Sequence, residues 1–215
     1  MRAVIFVNGT ITDYSQLAQW LRPDDYTIAA DGGAAHCAAL GLLPAVLVGD
    51  LDSIDPTLLA EYEQAGVTIE RHPPHKDETD LELAVRRAVA DGATEILLLG
   101  ALGGRLDQTL ANLLLPARQA WPVPILLADG RQLARVLRGG ESVTIHGQPG
   151  DTVSAVPLSA EATGINYTGL EYPLTDATLP LGSTQGVSNR LVGESATIQL
   201  SSGILLVVQE KFVGA

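Results

Sequence analysis

The stretch Val46–Asp55, VLVGDLDSID, starts as a short apolar run and ends in three acids, two of them one residue apart. An apolar run that emerges into Gly49, Asp50 and Asp52 reads as a buried strand delivering carboxylates at its end. Similar runs surround it: Ala3–Val7, Thr27–Ala30, Val67–Glu70, Glu95–Leu99 and Pro124–Ala128. Most of them run into polar or glycine residues, such as Asn8-Gly9, Asp31-Gly32-Gly33, Gly100 and Asp129-Gly130. Near-continuous apolar runs imply strands covered on both faces, as in a parallel sheet. Ligands of such sheets bind beyond the carboxyl ends of the strands. The acids and glycines therefore stand where a site is expected.

Helices are expected between the strands. Asp55-Pro56 reads as an N-cap followed by proline at the first helical position, with Gly66 as terminator. Thr79-Asp80-Leu81-Glu82 has the capping-box pattern, and Leu81, Ala84, Val85, Ala88 and Val89 form one apolar face before Gly92. A third helix is predicted from near Leu106, with Leu110, Leu113 and Leu114 inward and Pro116 kinking or ending it. After about residue 130 helical signals vanish, and short β-like runs recur between Gly, Pro and Asn (Ser142–Ile145, Thr152–Pro157, Ala196–Leu200, Ile204–Gln209). The fold class predicted is α/β. A Rossmann-like domain with a mostly parallel sheet, residues 1–130, is followed by a small all-β sandwich or barrel, residues 131–215.

Of the 215 residues, 46% are hydrophobic, enough to build a real core. The formal net charge of −12 repels nucleic acid and anionic membranes, so neither is expected as a partner. It also repels small phosphates, so a phosphate ligand needs a metal or a few well-placed cations. A single cysteine, Cys37, excludes an intrachain disulfide and suits a reducing compartment. The apolar run at the N-terminus is shorter than the ~7–15 residues of a secretory core or the ~20 of a membrane span. A cytoplasmic protein is expected.

Asp50 and Asp52 are i and i+2, so in extended chain they share a face, with α-carbons ~6–7 Å apart. Two carboxylates on one face invite a hard cation, and Mg²⁺ bound by one or two carboxylates plus substrate phosphates is a common arrangement. A bare D-x-D equally describes a turn former beside a solvated acid. In HKDETDLE (His75–Glu82), Asp77 and Asp80 flank a capped helix start, where acids are also favoured by the helix dipole. The same segment holds Lys76, one of two lysines in the chain. GALGGRLDQ (Gly100–Gln108) offers glycines for close backbone approach and Arg105 as a phosphate fork. It has neither Walker nor dinucleotide-fingerprint spacing. ADGGA (Ala30–Ala34) reads as a glycine turn opening a helix, fit to contact an anion or adenosine. The four histidines lack metal-ligand spacing and read as structural or solvated.

Taken in order, ADGGA, GDLDS, KDETD, GGRLDQ with Asn112, GLEYPL (Gly169–Leu174) and GVSN (Gly186–Asn189) closely resemble the thiamin pyrophosphokinase family, over nearly the whole chain. The resemblance implies transfer of a pyrophosphoryl group from ATP to the hydroxyethyl group of thiamin, by direct Mg²⁺-dependent in-line displacement. It implies a homodimer with shared active sites. Asp50, Asp52 and Asp80 become the Mg²⁺ carboxylates, with Asp77 and Lys76 beside them on the phosphates. Asp31, Gly32 and Gly33, with Gly103, Gly104, Arg105, Asp107 and Gln108, fall to the nucleotide. Ser188 and Asn189 fall to the thiamin pocket, across the dimer, and GLEYPL matches a strand motif of the β domain.

Two positions depart from the family pattern. Ala45 stands where many members have an acid. Ile204-Leu205-Leu206 stands where members can carry an aromatic residue, which leaves the stacking partner for thiamin among Tyr167, Tyr172, Phe212 or none. Two other readings compete. One is a pyrophosphokinase acting on another hydroxyalkyl heterocycle such as a hydroxymethylpterin, which GLEYPL and GVSN disfavour. The other is a non-catalytic nucleotide-sensing module, which has no need of the full set Asp50, Asp52, Asp77 and Asp80. A nucleotide-sugar transferase shares only the D-x-D.

Overall fold

The computed structural model describes residues 1–212, and the chain divides into two compact units, Met1–Gly130 and Arg131–Ala215. In the first unit the elements follow the alternation of the sequence: β1 (Arg2–Phe6), β2 (Tyr26–Ala30), α1 (Ala34–Ala39), β3 (Val46–Gly49), α2 (Pro56–Gln64), β4 (Thr68–Arg71), α3 (Asp80–Ala90), β5 (Glu95–Leu99), α4 (Leu106–Arg118) and β6 (Ile125–Asp129). Their strands lie in the order β6-β5-β1-β2-β3-β4, and every pairing is parallel. Phe6, Ile5, Ile28, Leu47 and Ile96–Leu99 are almost wholly buried, as strands covered on both faces require. The sheet runs one way from β1 through β2 to β4 and the other way through β5 to β6. The crevice at the carboxyl ends of β1 and β5 is thus a topological switch point.

The helix starts follow their capping residues. Asp55 accepts from the Thr57 N–H at 2.7 Å, with Pro56 at the first helical position. Thr79 accepts from the Glu82 N–H at 3.2 Å. Only half of the capping box forms, because the Glu82 carboxylate instead accepts from Arg86 and Arg118. Leu81, Ala84, Val85 and Ala88 are buried, and α3 packs on β1, β2 and β3.

The expected face of α4 is corrected. Leu110 and Leu114 are exposed, and the residues buried are Asn112, Leu115 and Pro116. The helix runs through Pro116 to Arg118 instead of ending there. Asn112, on the inward face, donates from Nδ2 to the Ala101 carbonyl at 2.8 Å.

The second unit is antiparallel. Its strands are β7 (Gln132–Arg138), β8 (Ser142–His146), β9 (Thr152–Pro157), β10 (Glu161–Thr168), β11 (Ala177–Pro180), β12 (Asn189–Arg190), β13 (Ser195–Gln199) and β14 (Ile204–Glu210). They pair as β12-β9-β14-β7 and as β11-β10-β13-β8. Val153, Ala155, Ile165, Tyr167, Leu179, Leu191, Ile198 and Leu205 share its core. GLEYPL is a loop rather than a strand: Gly169 takes φ +77°, and Leu170 makes one isolated bridge to Leu191. A left-handed glycine at its start and Pro173 near its end keep the segment out of a ladder. No helix among the described residues is long and apolar enough to cross a membrane.

Candidate active site

Strands β2 and β3 are neighbours with Ala30 opposite Val48, so the residues that follow, Asp31 and Gly49-Asp50, leave the sheet side by side. Carboxylate oxygens of Asp31, Asp50 and Asp52 lie within 4.8 Å of one another. The D-x-D does not take the extended conformation in which its two acids would share a face. β3 ends at Gly49, and the buried Leu51 turns the chain with φ +65°, a strained conformation for leucine. The Asp52 N–H points back to Asp50 Oδ1 at 3.4 Å. The turn, rather than the pleat, brings the two carboxylates together. Gly49 has no side chain for a reason of space: a Cβ there would stand 3.0 Å from Asp31 Cβ and 3.1 Å from Asp80 Oδ1.

The sequence reading gives Asp31 to the nucleotide, and the structure puts it among the clustered acids. It is 8% exposed, at φ +45°, and its Oδ1 has no hydrogen-bond partner. Burial pushes its carboxyl above the usual carboxylate range, and the Asp80 charge pushes the same way, against the pull of Ser53 and the Gly32 backbone. A buried, bare carboxylate oxygen beside two more carboxylates is costly unless a cation joins them. The donor set is hard oxygen throughout and fits Mg²⁺. An aspartate at a strand end, one strand over from GDLDS, was the signal available in the sequence.

Asp80 begins α3 and holds Lys76 Nζ at 2.7 Å, a pair with side chains only 12% (Lys76) and 25% (Asp80) exposed. Asp77 is exposed and lines neither of the cavities described here, while Glu78 and Thr79 line one of them. The Gly103-Gly104 turn, with φ of +82° and +72°, leads to Arg105, which N-caps α4. Arg105 donates from Nε and Nη2 to the two oxygens of Asp107, at 3.1 and 2.6 Å, on the open surface. Gln108 and Asn112 follow on α4. These groups frame two cavities that share Val7, Asp50, Asp80, Gln108 and Asn112 in their walls. One, of about 390 Å³, also includes Asp31, Asp52, Gly103, Gly104 and Arg105, and the other, of about 240 Å³, includes Lys76. Gly33 is buried and lines neither cavity, and a Cβ on it would collide with the Phe6 carbonyl. It is the close approach of α1 to β1 that needs this glycine.

In the second unit, Gly186 pairs with Ala155 through the Ala155 N–H at 2.8 Å. Ser188 has φ +62°, its N–H donates to Ser154 Oγ at 3.0 Å, and its side chain is exposed. Asn189, expected to touch thiamin, is buried, and both ends of its amide bond the Tyr172 backbone. Its Oδ1 accepts from the Tyr172 N–H at 3.0 Å, and its Nδ2 donates to the Tyr172 carbonyl at 2.7 Å. The amide thus stands in for a strand partner and pins the GLEYPL loop, leaving the Tyr172 ring 62% exposed. Tyr167 lies in the core with its hydroxyl unpartnered, and burial pushes its pKa up to about 12. Of the three candidate stacking rings, Tyr172 and Phe212 are therefore the exposed ones.

Two family profiles match the chain in order: "Thiamin pyrophosphokinase, catalytic domain" over residues 17–121 and "Thiamin pyrophosphokinase, vitamin B1 binding domain" over residues 142–205. The thiamine pyrophosphokinase of Bacillus subtilis (strain 168) is 30% identical over 189 residues, 86% of this chain and 88% of the relative. The crystal structure of thiamine pyrophosphokinase from Bacillus subtilis superposes with a TM-score of 0.87 at 26% identity, covering 99% of this chain and all of that one (100%). That from Geobacillus thermodenitrificans gives 0.82 at 28% identity, with 100% and 99% covered.

Proposed function

The chain belongs to the thiamin pyrophosphokinase family, and we propose from this that it transfers the outer two phosphates of ATP, as one group, to the hydroxyethyl oxygen of thiamin. The products are thiamin diphosphate and AMP. The observation that carries the reading is the set Asp31, Asp50 and Asp52, with one bare buried oxygen, opening into a cavity that also holds Arg105 and the Gly103-Gly104 turn. We read the first unit as Rossmann-like and the second as a β-sandwich that presents thiamin.

The reaction asks more for positioning and charge neutralisation than for covalent help. The oxygen of the thiamin hydroxyl forms a bond to the β-phosphorus while the bond from that phosphorus to the oxygen bridging to the α-phosphate breaks. AMP leaves with that oxygen, and the hydroxyl proton is released to solvent. Asp50, Asp52 and Asp31 would hold Mg²⁺, with Asp80 beside them. When bound, Mg²⁺ supplies charge neutralisation at the phosphates. Arg105 offers its fork to the outer phosphates, and the Gly103-Gly104 backbone can approach them closely. Lys76, fixed by Asp80, keeps a positive charge at the smaller cavity. Ser188 and Tyr172 belong to the thiamin pocket, and Asn189 acts by holding Tyr172.

We also propose a homodimer in which thiamin lies against the first unit of one subunit and the second unit of its partner. The acids and GVSN sit in different units of the chain, and a two-fold interface brings unlike surfaces together. ATP labelled at the β-phosphorus tests the reaction. Label in thiamin diphosphate with an equal amount of AMP is expected. ADP with thiamin monophosphate as sole products moves the attack to the γ-phosphorus and overturns the reading.

A further inference from the structure

Asn8 lies in the turn just after β1, at the switch point, and carries no role in the mechanism above. It precedes residue 17, where the match to the catalytic family profile begins. The chain on both sides of it is bolted to the tail of β5. The Val7 N–H donates to the Leu99 carbonyl at 2.9 Å, Gly9 to Gly100 at 2.7 Å and Thr10 to Leu102 at 2.8 Å. The Gly9 carbonyl is braced in turn by His36 Nε2 at 3.0 Å, and His36 Nδ1 by the Tyr14 hydroxyl at 2.8 Å. A Cβ on Gly32 would overlap the Asn8 carboxamide, so the missing side chain in ADGGA makes room for Asn8 rather than for a ligand. The Asn8 side chain is nonetheless exposed, lines the larger cavity and makes no hydrogen bond among the described residues.

The backbone on either side of Asn8 is held in place and its carboxamide lies close against Gly32, so the amide faces the cavity with its donors open to a ligand that displaces solvent. Its chemistry fits the place. A lysine or arginine beside Asp31 would be drawn into an ion pair, as Lys76 is by Asp80 and Arg105 by Asp107. It would also repel a divalent cation held by those acids. A neutral carboxamide donates to a phosphate oxygen without either penalty.

We propose that Asn8 is a phosphate-contacting residue, its Nδ2 donating to an oxygen of the pyrophosphoryl group that is transferred. The assignment rests on the transfer reading above, and the experiment separates the two. Mg·ATP and AMP are titrated calorimetrically into the full-length wild type, Asn8→Ala and Asn8→Asp, and turnover with thiamin is followed in parallel. Losing a hydrogen bond to a charged group predicts that Asn8→Ala weakens Mg·ATP binding and raises the KM for ATP by about ten- to a hundredfold. Asn8→Asp keeps the shape and adds a repelling charge, so it should lose more. AMP lacks the outer phosphates, and its affinity should stay within about twofold, as should the KM for thiamin. A merely structural role would weaken ATP and AMP alike, and that result overturns the assignment. So does Mg·ATP affinity within twofold of wild type in both variants. A wild type that binds Mg·ATP but makes no thiamin diphosphate sinks the transfer reading, while selective loss of ATP binding in the variants still upholds Asn8.

Discussion

Replacing Asp31 with asparagine should stabilise the metal-free protein and abolish its activity together. Asparagine is among the few side chains at ease at φ +45°, so the backbone is not disturbed. What changes is the charge. In the metal-free chain an ionised Asp31 is buried, has one oxygen without a partner and faces the charge of Asp80. An unsatisfied buried polar group costs about 1–3 kcal/mol. Relief of about 1–2 kcal/mol corresponds to a Tm higher by about 2–8 °C for a chain of this size.

The sign of the pH dependence follows from the raised carboxyl. The native state holds this proton more tightly than the unfolded chain does. The wild type therefore keeps its full stability below the unfolded carboxyl range, near about pH 4, and loses this contribution as pH rises through the folded value. The gap between Asp31→Asn and wild type should be absent in acid and open towards neutrality. Added Mg²⁺ should raise the wild-type Tm and close the gap, with a smaller rise in the variant. Scanning calorimetry from pH 4 to 7.5, with chelator and with Mg²⁺, reads all of this. Identical melting in chelator at pH 7.5, or equal Mg²⁺ shifts in both proteins, refutes the reasoning.

Asp52→Asn should leave the fold intact and lower kcat through a loss of about 2–4 kcal/mol in transition-state stabilisation. Steady-state rates at saturating Mg²⁺ check this, and a near-normal kcat makes Asp52 a bystander. Tyr172→Ala should raise the KM for thiamin alone, by an amount matching a cation–π contact to the thiazolium of about 0.5–2 kcal/mol. Tyr172→Phe should not, and equal behaviour of the two variants sinks the stacking role. Mixing inactive Asp52→Asn with inactive Ser188→Trp subunits should restore activity in mixed dimers. Its absence in dimers shown to have formed ends the shared-site proposal. Burial holds the His36 imidazole below its ordinary pKa, so the stability that it lends is present above about pH 6.5 and lost as pH falls. His36→Gln should flatten that loss in melts between pH 7.5 and 5, and an unchanged slope would exclude His36 as its source.

Strand positions in the first unit were legible because parallel strands covered on both faces leave unbroken apolar runs, and Asp55-Pro56 and Thr79 marked helix starts by their capping chemistry. The face of α4 was not legible. The apolar pattern points Leu110 and Leu114 inward, yet both are exposed, while the polar Asn112 is buried and bonded to the Ala101 carbonyl. Asp50 and Asp52 stood out in the sequence, but the third acid of their cluster, Asp31, and the geometry of the three did not. A left-handed leucine is not written in residue type, and the nearness of Asp31 to Asp50 is a fact of strand order. In the second unit, β7 and β10 were missed because polar and small residues dilute them: Gln132, Arg135, Arg138, Glu161, Gly164 and Asn166. The motif GVSN singles out an asparagine, but that its amide bonds the Tyr172 backbone is visible only in the structure.

The acidic balance of the chain now has a local meaning. A protein of net charge −12 must receive an ATP phosphate chain, and both cations at its cavities already have carboxylate partners. The two pairs differ in how firmly they hold. Arg105 and Asp107 meet in open solvent, where such pairs are worth about 0–1 kcal/mol, so little opposes a swing of the guanidinium from carboxylate to phosphate. Lys76 and Asp80 are sheltered and lie across one turn at the head of α3, so that ammonium is fixed in place. On the proposed reading, Arg105 would swing to the phosphates while Lys76 stays with Asp80. Arg105→Lys, which keeps the charge but loses the two-pronged fork, should therefore cost more ATP affinity than Asp107→Asn, which only frees the fork.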